Sequence, residues 1–249
     1  SEPRRNPGFC SGSSEPVRCR IRTFFPAGLA LVAALLGACA DAEAELRVFV
    51  TNEKSNDVTV IEAATGKVLK TIPVGKRPRG VTVSPNGRHV YVANSDSNDV
   101  AVIDAVTLVV LKTMPAGLDP EGLTLSKDGR FLYIANENEL AVTVLEVASG
   151  RVVAKIEAGT EPETAVMSPD GRWVSVSHET SNDIYVIDTT TNTVVKKIPV
   201  PKNPRGMRFT PDSRRLFVAS EKDHAVSVID TAGWTVVKSV PTGGERPVD

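Results

Sequence analysis

The chain has 249 residues, a formal net charge of −1 and 41% hydrophobic residues. That is enough to build one sizeable globular domain and too apolar for a disordered one. The near-neutral charge argues against nucleic acid or an anionic membrane surface as the main partner. All three cysteines, Cys10, Cys19 and Cys39, lie before residue 46, so the rest of the chain can form no disulfide, zinc–thiolate site or cysteine nucleophile.

In chain order, the first feature is a targeting segment. Arg18, Arg20 and Arg22 precede "FFPAGLALVAALLGACA", an apolar run of signal-peptide length. It is short for a membrane span, and Pro26 interrupts it. Ala38-Cys39-Ala40 fits an A-x-A site with cleavage before Asp41, while Leu36-Gly37-Ala38-Cys39 resembles a lipobox that would lipidate Cys39. Either outcome exports the domain to the periplasm or beyond, with membrane contact only through a lipid anchor. Residues 1–40 are therefore read as an upstream extension and signal peptide. The stretch before Val17 has no place in such a peptide and reads as an over-extended start or a fragment.

From residue 46 the chain repeats itself. "VFVTNEKSNDVTVIE", "VYVANSDSNDVAVID", "LYIANENELAVTVLE", "VSVSHETSNDIYVID" and "LFVASEKDHAVSVID" begin at Val48, Val90, Leu132, Val174 and Leu216. Phe49, Tyr91, Tyr133, Ser175 and Phe217 stand 42 residues apart each time, a period that marks a repeat architecture. Residues 79–116 show the unit. "RGVTVS" is a β-rich run stopped by Pro85-Asn86-Gly87, "RHVYVAN" follows, then the polar knot "SDSND", then "VAVID", and finally "LVVLKTM" before Pro115. No ten-residue stretch carries helical periodicity. The middle strands are almost continuously apolar, as strands covered on both faces must be. The fourth, "KVLKTI" at 67–72 or "RVVAKI" at 151–156, mixes in Lys and Arg, so one side meets water. These features predict an all-β fold, a β-propeller of four-stranded blades.

The segments "FVTN" and "YVAN", the "SNDV" knot, "VID..TG", "VG..P.G" and "SPDG" resemble the YVTN-repeat β-propeller family, in particular the exported propellers associated with PQQ-dependent catabolism. The resemblance covers residues 46–249. It implies seven blades, of which about five are expected in this chain. The chain enters in the second strand of a blade ("RVFVTN") and stops at "ERPVD", where a first strand begins, so the expectation is a C-terminally truncated circle. The resemblance also implies service to a periplasmic quinoprotein oxidation system.

In such a fold the first strand of each blade lines the central channel, and the loops entering it ring one mouth. These loops carry Arg77-Pro78-Arg79, Asp119-Pro120-Glu121, Glu161-Pro162-Glu163, Asn203-Pro204-Arg205 and Arg246-Pro247-Val248. The frame repeats while the charge changes, which is where function is expected. Arg77, Arg79, Asp119, Glu121, Glu161, Glu163 and Arg205 are therefore the candidate binding residues. Simple pairing of Arg79 with Glu121 and of Glu163 with Arg205 is the plainer reading of any one residue. If the ring serves binding, reversing Arg77 and Arg79 weakens capture and spares stability; if it only pairs internally, the reverse holds.

The fourth residue of "YVAN" is Asn52, Asn94 and Asn136, a turn-capping choice, then His178 and Ser220. His178 joins the candidates as the exception, although His89 and His224 occupy other repeat positions and lend it no metal-binding company. Asp104, Glu146, Asp188 and Asp230 precede turns and read as turn acceptors. The turn near Lys67 echoes the docking motif of quinoprotein dehydrogenase propellers, but Lys70 and Lys112 stand where that motif ends in Trp, so PQQ is not assigned. No haem-attachment, phosphate-loop or G-x-S-x-G motif occurs. No cofactor, metal or catalytic residue is expected. The reading is a non-catalytic propeller that binds a protein or small molecule at its channel mouth. The alternatives are a lactonase-like or dehydrogenase-subunit enzyme, which a metal on Asp119, Glu121, Glu161 or Glu163 would favour, and single-stranded nucleic acid binding, disfavoured by the acidic half of the ring.

Overall fold

The structure, a computed structural model, describes residues 46–247. The targeting segment, Cys39 and Val248 lie outside the described residues. The first sheet holds β1 (Arg47–Asn52), β2 (Asp57–Glu62) and β3 (Val68–Pro73). The second holds β4 (Pro78–Val83), β5 (His89–Asn94), β6 (Asp99–Asp104) and β7 (Val109–Pro115). The third holds β8 (Pro120–Leu125), β9 (Phe131–Asn136), β10 (Ala141–Glu146) and β11 (Arg151–Glu157). The fourth holds β12 (Pro162–Met167), β13 (Trp173–His178), β14 (Asp183–Asp188) and β15 (Thr193–Pro199). The fifth holds β16 (Pro204–Phe209), β17 (Arg215–Ser220), β18 (Ala225–Asp230) and β19 (Thr235–Pro241). Each sheet is an antiparallel meander in sequence order, and the chain is a β-propeller of about five blades. The first blade differs from the others in having three strands among the described residues.

Each turn has a repeated chemical cause. Between first and second strands, the hydroxyls of Ser84, Ser126, Ser168 and Thr210 donate to Asn86, Asp128, Asp170 and Asp212. The same hydroxyls accept the backbone N–H that reopens the ladder, at His89, Phe131, Trp173 and Arg215. Between third and fourth strands, Asp104 accepts the N–H groups of Val106 and Thr107, and Asp230 those of Ala232 and Gly233. These carboxylates are turn acceptors, as their sequence position predicts.

The core lies between blades. Val58, Val60 and Ile72 of the first pack on Val90, Val92 and Ile103 of the second, and the other side of the second blade, with Tyr91, Val100 and Val102, packs on Leu123, Leu132 and Ile134 of the third. Two further seams join the third to the fourth and the fourth to the fifth blade. Tyr91 and Tyr133 are each 2% exposed in these seams, whereas Phe217, at the same repeat position, is 39% exposed because no described sheet covers it. Each outer strand except β19 buries a single residue, Ile72, Met114, Ile156 or Ile198. One residue of each outer strand, Leu69, Leu111, Val153, Val195 and Val237, is skipped in the pairing register. Such bulges, with the neighbouring lysines, protect strand edges from pairing with other chains.

Candidate functional site: a charged ring at the channel mouth

The loops that lead into the innermost strands share one backbone frame. Arg77, Asp119, Glu161, Asn203 and Arg246, each directly before a proline, all have positive φ, between 52° and 60°. Non-glycine residues seldom sit there, and proline pushes its predecessor elsewhere, so the frame needs clamps. The carbonyls of Arg77, Asp119, Glu161 and Asn203 accept N–H bonds of 2.9–3.0 Å from Ser95, Glu137, Glu179 and Glu221. The N–H groups of Arg77, Asp119 and Asn203 donate to the side-chain oxygens of Asn56, Asn98 and Asn182, and that of Arg246 to Nδ1 of His224. The asparagine that ends the polar knot is thus the capping residue. Asn52 and Asn94, expected to cap the turn backbone, donate instead across it to the carboxylates of Asp57 and Asp99.

This frame brings Arg77, Arg79, Asp119, Glu121, Glu163 and Arg205 together. Arg77 donates to Glu53 at 3.2 Å and Asp119 at 3.1 Å and lies 3.4 Å from Glu121. Arg79 bonds Glu121 at 2.7 Å and reaches past the third blade to Glu163 at 3.3 Å. Arg205 pairs with Glu163, with Glu179 at 3.0 Å and with Glu221 at 3.2 Å. Arg246 extends the ring by pairing with Glu221. The like charges that adjoin in sequence are therefore interleaved with opposite ones in space. Both pairs expected from neighbouring loops, Arg79–Glu121 and Glu163–Arg205, are present.

Burial sets the electrostatics. Glu121 is only 2% exposed, with Ser95 Oγ donating to it. Burial pushes its carboxyl up to about 8 against the pull of Arg79 and Arg77, and Glu163 and Asp119 add to the rise. Burial likewise raises Glu137, helped by Asp119. The hydrogen bond from Arg246 holds Glu221 below the usual range. For Arg205, burial is the largest single influence and opposes its charge, but Glu163, Glu179 and Glu221 together outweigh it.

Glu161 and His178 stand apart from this network. Glu161 turns to the hydroxyl of Thr180. His178 is fully buried beneath the ring, with Nδ1 3.1 Å from Asp183, its ring 4.3 Å from that of Tyr185, and Nε2 without a partner. It fits because Gly159 lies over it: a Cβ there would come within 2.8 Å of the imidazole, as one at Gly75 would meet Asn94 at 2.7 Å. Asp119, Glu121 and Glu137 bring one oxygen each within 4.8 Å of the others. Arg77 already engages two of these carboxylates, so the cluster suits a guanidinium better than a metal ion. Glu53, Glu137, Glu179 and Glu221 were not expected in the ring. Their signal is a glutamate at the first knot position, spaced by multiples of 42 residues, with Ser95 as the exception.

Below the ring, the inner strands enclose a groove of about 700 Å³ whose lining includes Arg79, Thr82, Glu121, Thr124, Glu163 and Arg208. Fold and site together define a β-propeller with a charged channel mouth. A family model described as a YNCE-like β-propeller matches residues 83–170, and one described as a lactonase, 7-bladed β-propeller, matches residues 165–236. No curated protein matches the chain. Among solved structures it is similar to the Kuenenia stuttgartiensis hydrazine synthase, at 26% identity and a TM-score of 0.71, over 78% of this chain and 62% of that one. A functionally unknown protein from Desulfotomaculum acetoxidans is similar at 20% identity and a TM-score of 0.70, covering 81% and 69%. Dihydro-heme d1 dehydrogenase NirN, solved with DHE, is similar at 23% identity and a TM-score of 0.62, covering 79% and 44%. The last two likenesses are of fold alone.

Proposed function

We propose that this protein is an exported, non-catalytic propeller that binds a protein or small-molecule partner at its channel mouth, in the service of a periplasmic quinoprotein oxidation system. One observation carries the binding reading: four loops from separate blades deliver six charged side chains to one ring above the groove. Loops on a rigid repeat scaffold are where recognition is usually built. The leader-like segment before residue 46 and the YVTN-type repeats support export and the quinoprotein setting. Because Arg77 and Arg79 are held by several carboxylates, reversing them perturbs the fold as well as the surface. The cleaner test reverses Glu53 and Asp96, whose side chains are 48% and 58% exposed. Glu53→Lys with Asp96→Lys should strongly weaken capture of a periplasmic partner identified by mass spectrometry, more so at low salt, while the melting temperature falls only by the modest worth of the part-exposed ion pairs with Arg77 and Arg79. Equal capture by the variant overturns the reading.

A lactonase-like enzyme is the second reading. It is favoured by the lactonase family match and by Glu121, a buried carboxyl raised to about 8 that lines the groove and could serve as a general acid. Hydrolysis of a sugar lactone by the purified chain, abolished in Glu121→Gln, would select it over the first.

A further inference from the structure

The chain contains a single Asn-Gly pair, Asn86-Gly87, in the turn at the end of β4 that lies away from the mouth. This turn closes with a 2.8 Å bond from the Gly87 N–H to the carbonyl of Ser84. The side-chain oxygen of Asn86 accepts from Ser84 Oγ at 2.7 Å and from the Arg88 N–H at 3.0 Å. A backbone N–H can only donate, so the amide oxygen faces the turn and the NH2 group faces away from it. Asn86 and Gly87 are exposed. So are Asp128 and Asp170, at the same repeat position with described blades on both sides, which makes the exposure a property of the turn.

The sister turns hold an acid where this one holds an amide. Asp128, Asp170 and Asp212 follow Asn86 at multiples of 42 residues. Each carboxylate accepts the same two bonds, one from the hydroxyl of Ser126, Ser168 or Thr210 and one from the N–H of Arg130, Arg172 or Arg214. Those hydroxyl bonds hold Asp128 and Asp212 below the usual carboxylate range. Three blades therefore display the side chain that loss of the Asn86 amide would create, seated in the same frame.

An asparagine in a turn is ordinarily a hydrogen-bonding cap and nothing more. The glycine after it changes the chemistry. It has no side chain to shield its nitrogen, and it gives the peptide its widest choice of dihedrals. We propose that Asn86 is a self-modification site, at which the backbone nitrogen of Gly87 displaces the side-chain amide and an acid results. The nitrogen forms a bond to Cγ of Asn86, the Cγ–Nδ2 bond breaks, and the proton from Gly87 leaves with the amide as ammonia. Water then opens the five-membered imide. Opening at Cγ restores the main chain with an aspartate, which fits the turn as Asp128 fits its own. Opening at the main-chain carbonyl routes the backbone through the side chain and misplaces the carboxylate. The Gly87 N–H must first leave the Ser84 carbonyl, so folding slows the reaction without blocking it. The site is separate from the mouth and independent of the partner-binding reading.

Ageing of the full chain in mildly alkaline buffer, folded or in urea, tests it. Trypsin then releases "GVTVSPNGR", residues 80–88, in which Asn86 is the single asparagine. In the folded chain this peptide should gain one mass unit roughly tenfold faster than any other asparagine-containing peptide, because only here does glycine follow. The urea-unfolded chain should convert roughly two- to tenfold faster still, the usual worth of one backbone hydrogen bond. Asn86→Gln should stay unmodified in this peptide. Asn86→Asp, which supplies the expected product directly, should melt at or above the wild type at neutral pH. An Asn86 that stays intact in the folded chain, conversion of other asparagines at an equal rate, or a clearly lower melting temperature for Asn86→Asp would overturn the proposal.

Discussion

Glu121→Gln gives the sharpest test of the ring's electrostatics. In the folded chain the carboxyl of Glu121 is raised from its ordinary 4.5 to about 8, chiefly by burial. The folded state therefore holds this proton more tightly than the unfolded state does. The resulting stability is fully present below pH 4.5 and is lost as pH rises through about 8. One proton's difference is worth about 1.4 kcal/mol per pH unit, so wild type should lose on the order of 4 kcal/mol between about pH 5 and 8 through this group. For a domain of this size that is roughly 8–16 °C in melting temperature. Glutamine keeps the shape and removes the proton, so Glu121→Gln should show a shallower decline. The difference between the two proteins cancels the groups they share, including the histidines and Glu137. The assay is thermal unfolding by circular dichroism at half-unit pH steps. Parallel wild-type and variant curves from pH 5 to 8 would refute the claim that burial outweighs the two arginines.

Gly122→Ala should destabilise by about 1–3 kcal/mol through overpacking, read as a lower denaturation midpoint, because its Cβ would meet the backbone carbonyl of Glu163 at 2.5 Å. A lost midpoint shift would show that the inner strands separate freely. Tyr133→Ala should cost about 3–5 kcal/mol, while Phe217→Ala, at the same repeat position but 39% exposed, should cost less than half as much in urea unfolding. Asn98→Ala should cost about 1–2 kcal/mol, since it removes the oxygen that caps Asp119 N–H and leaves an alanine at φ 57°. Asn98→Gly relieves only the dihedral, so it should recover part of that loss.

The periodicity made the blades legible. Apolar runs of even length between Gly-, Asn- and Asp-rich turns fix the strands, and a 42-residue recurrence allows few arrangements for them. The x-Pro-x loops were also readable as one ring, because identical frames at identical spacing must share one face. What could not be read was who pairs with whom. Arg79 reaches Glu163, 84 residues away, and Glu53, Glu179 and Glu221 enter from knots that look like solvent-exposed turns in sequence. A repeat position specifies where a Cα sits, whereas a long side chain can cross to a neighbouring blade. His178 was misleading for a related reason. Its register places it beside the ring, but the glycine above it closes the backbone down and seals it in.

The same separation explains why the mouth can change charge without changing fold. The positive φ of these loops is secured through the loop residue's own backbone carbonyl and, in most of them, through its backbone N–H and a knot side chain, so the clamp uses none of the charged side chains. Arg77, Asp119, Glu161 and Asn203 therefore occupy equivalent clamps with four different side chains. Leu140 stands where Asn56, Asn98 and Asn182 cap, and its loop keeps the same φ at Glu161 without that cap. The clamp is redundant enough to lose one member. Stability is thus assigned to the frame and variation to the rim. That physical arrangement lets a repeat scaffold carry a binding surface whose blades need not match.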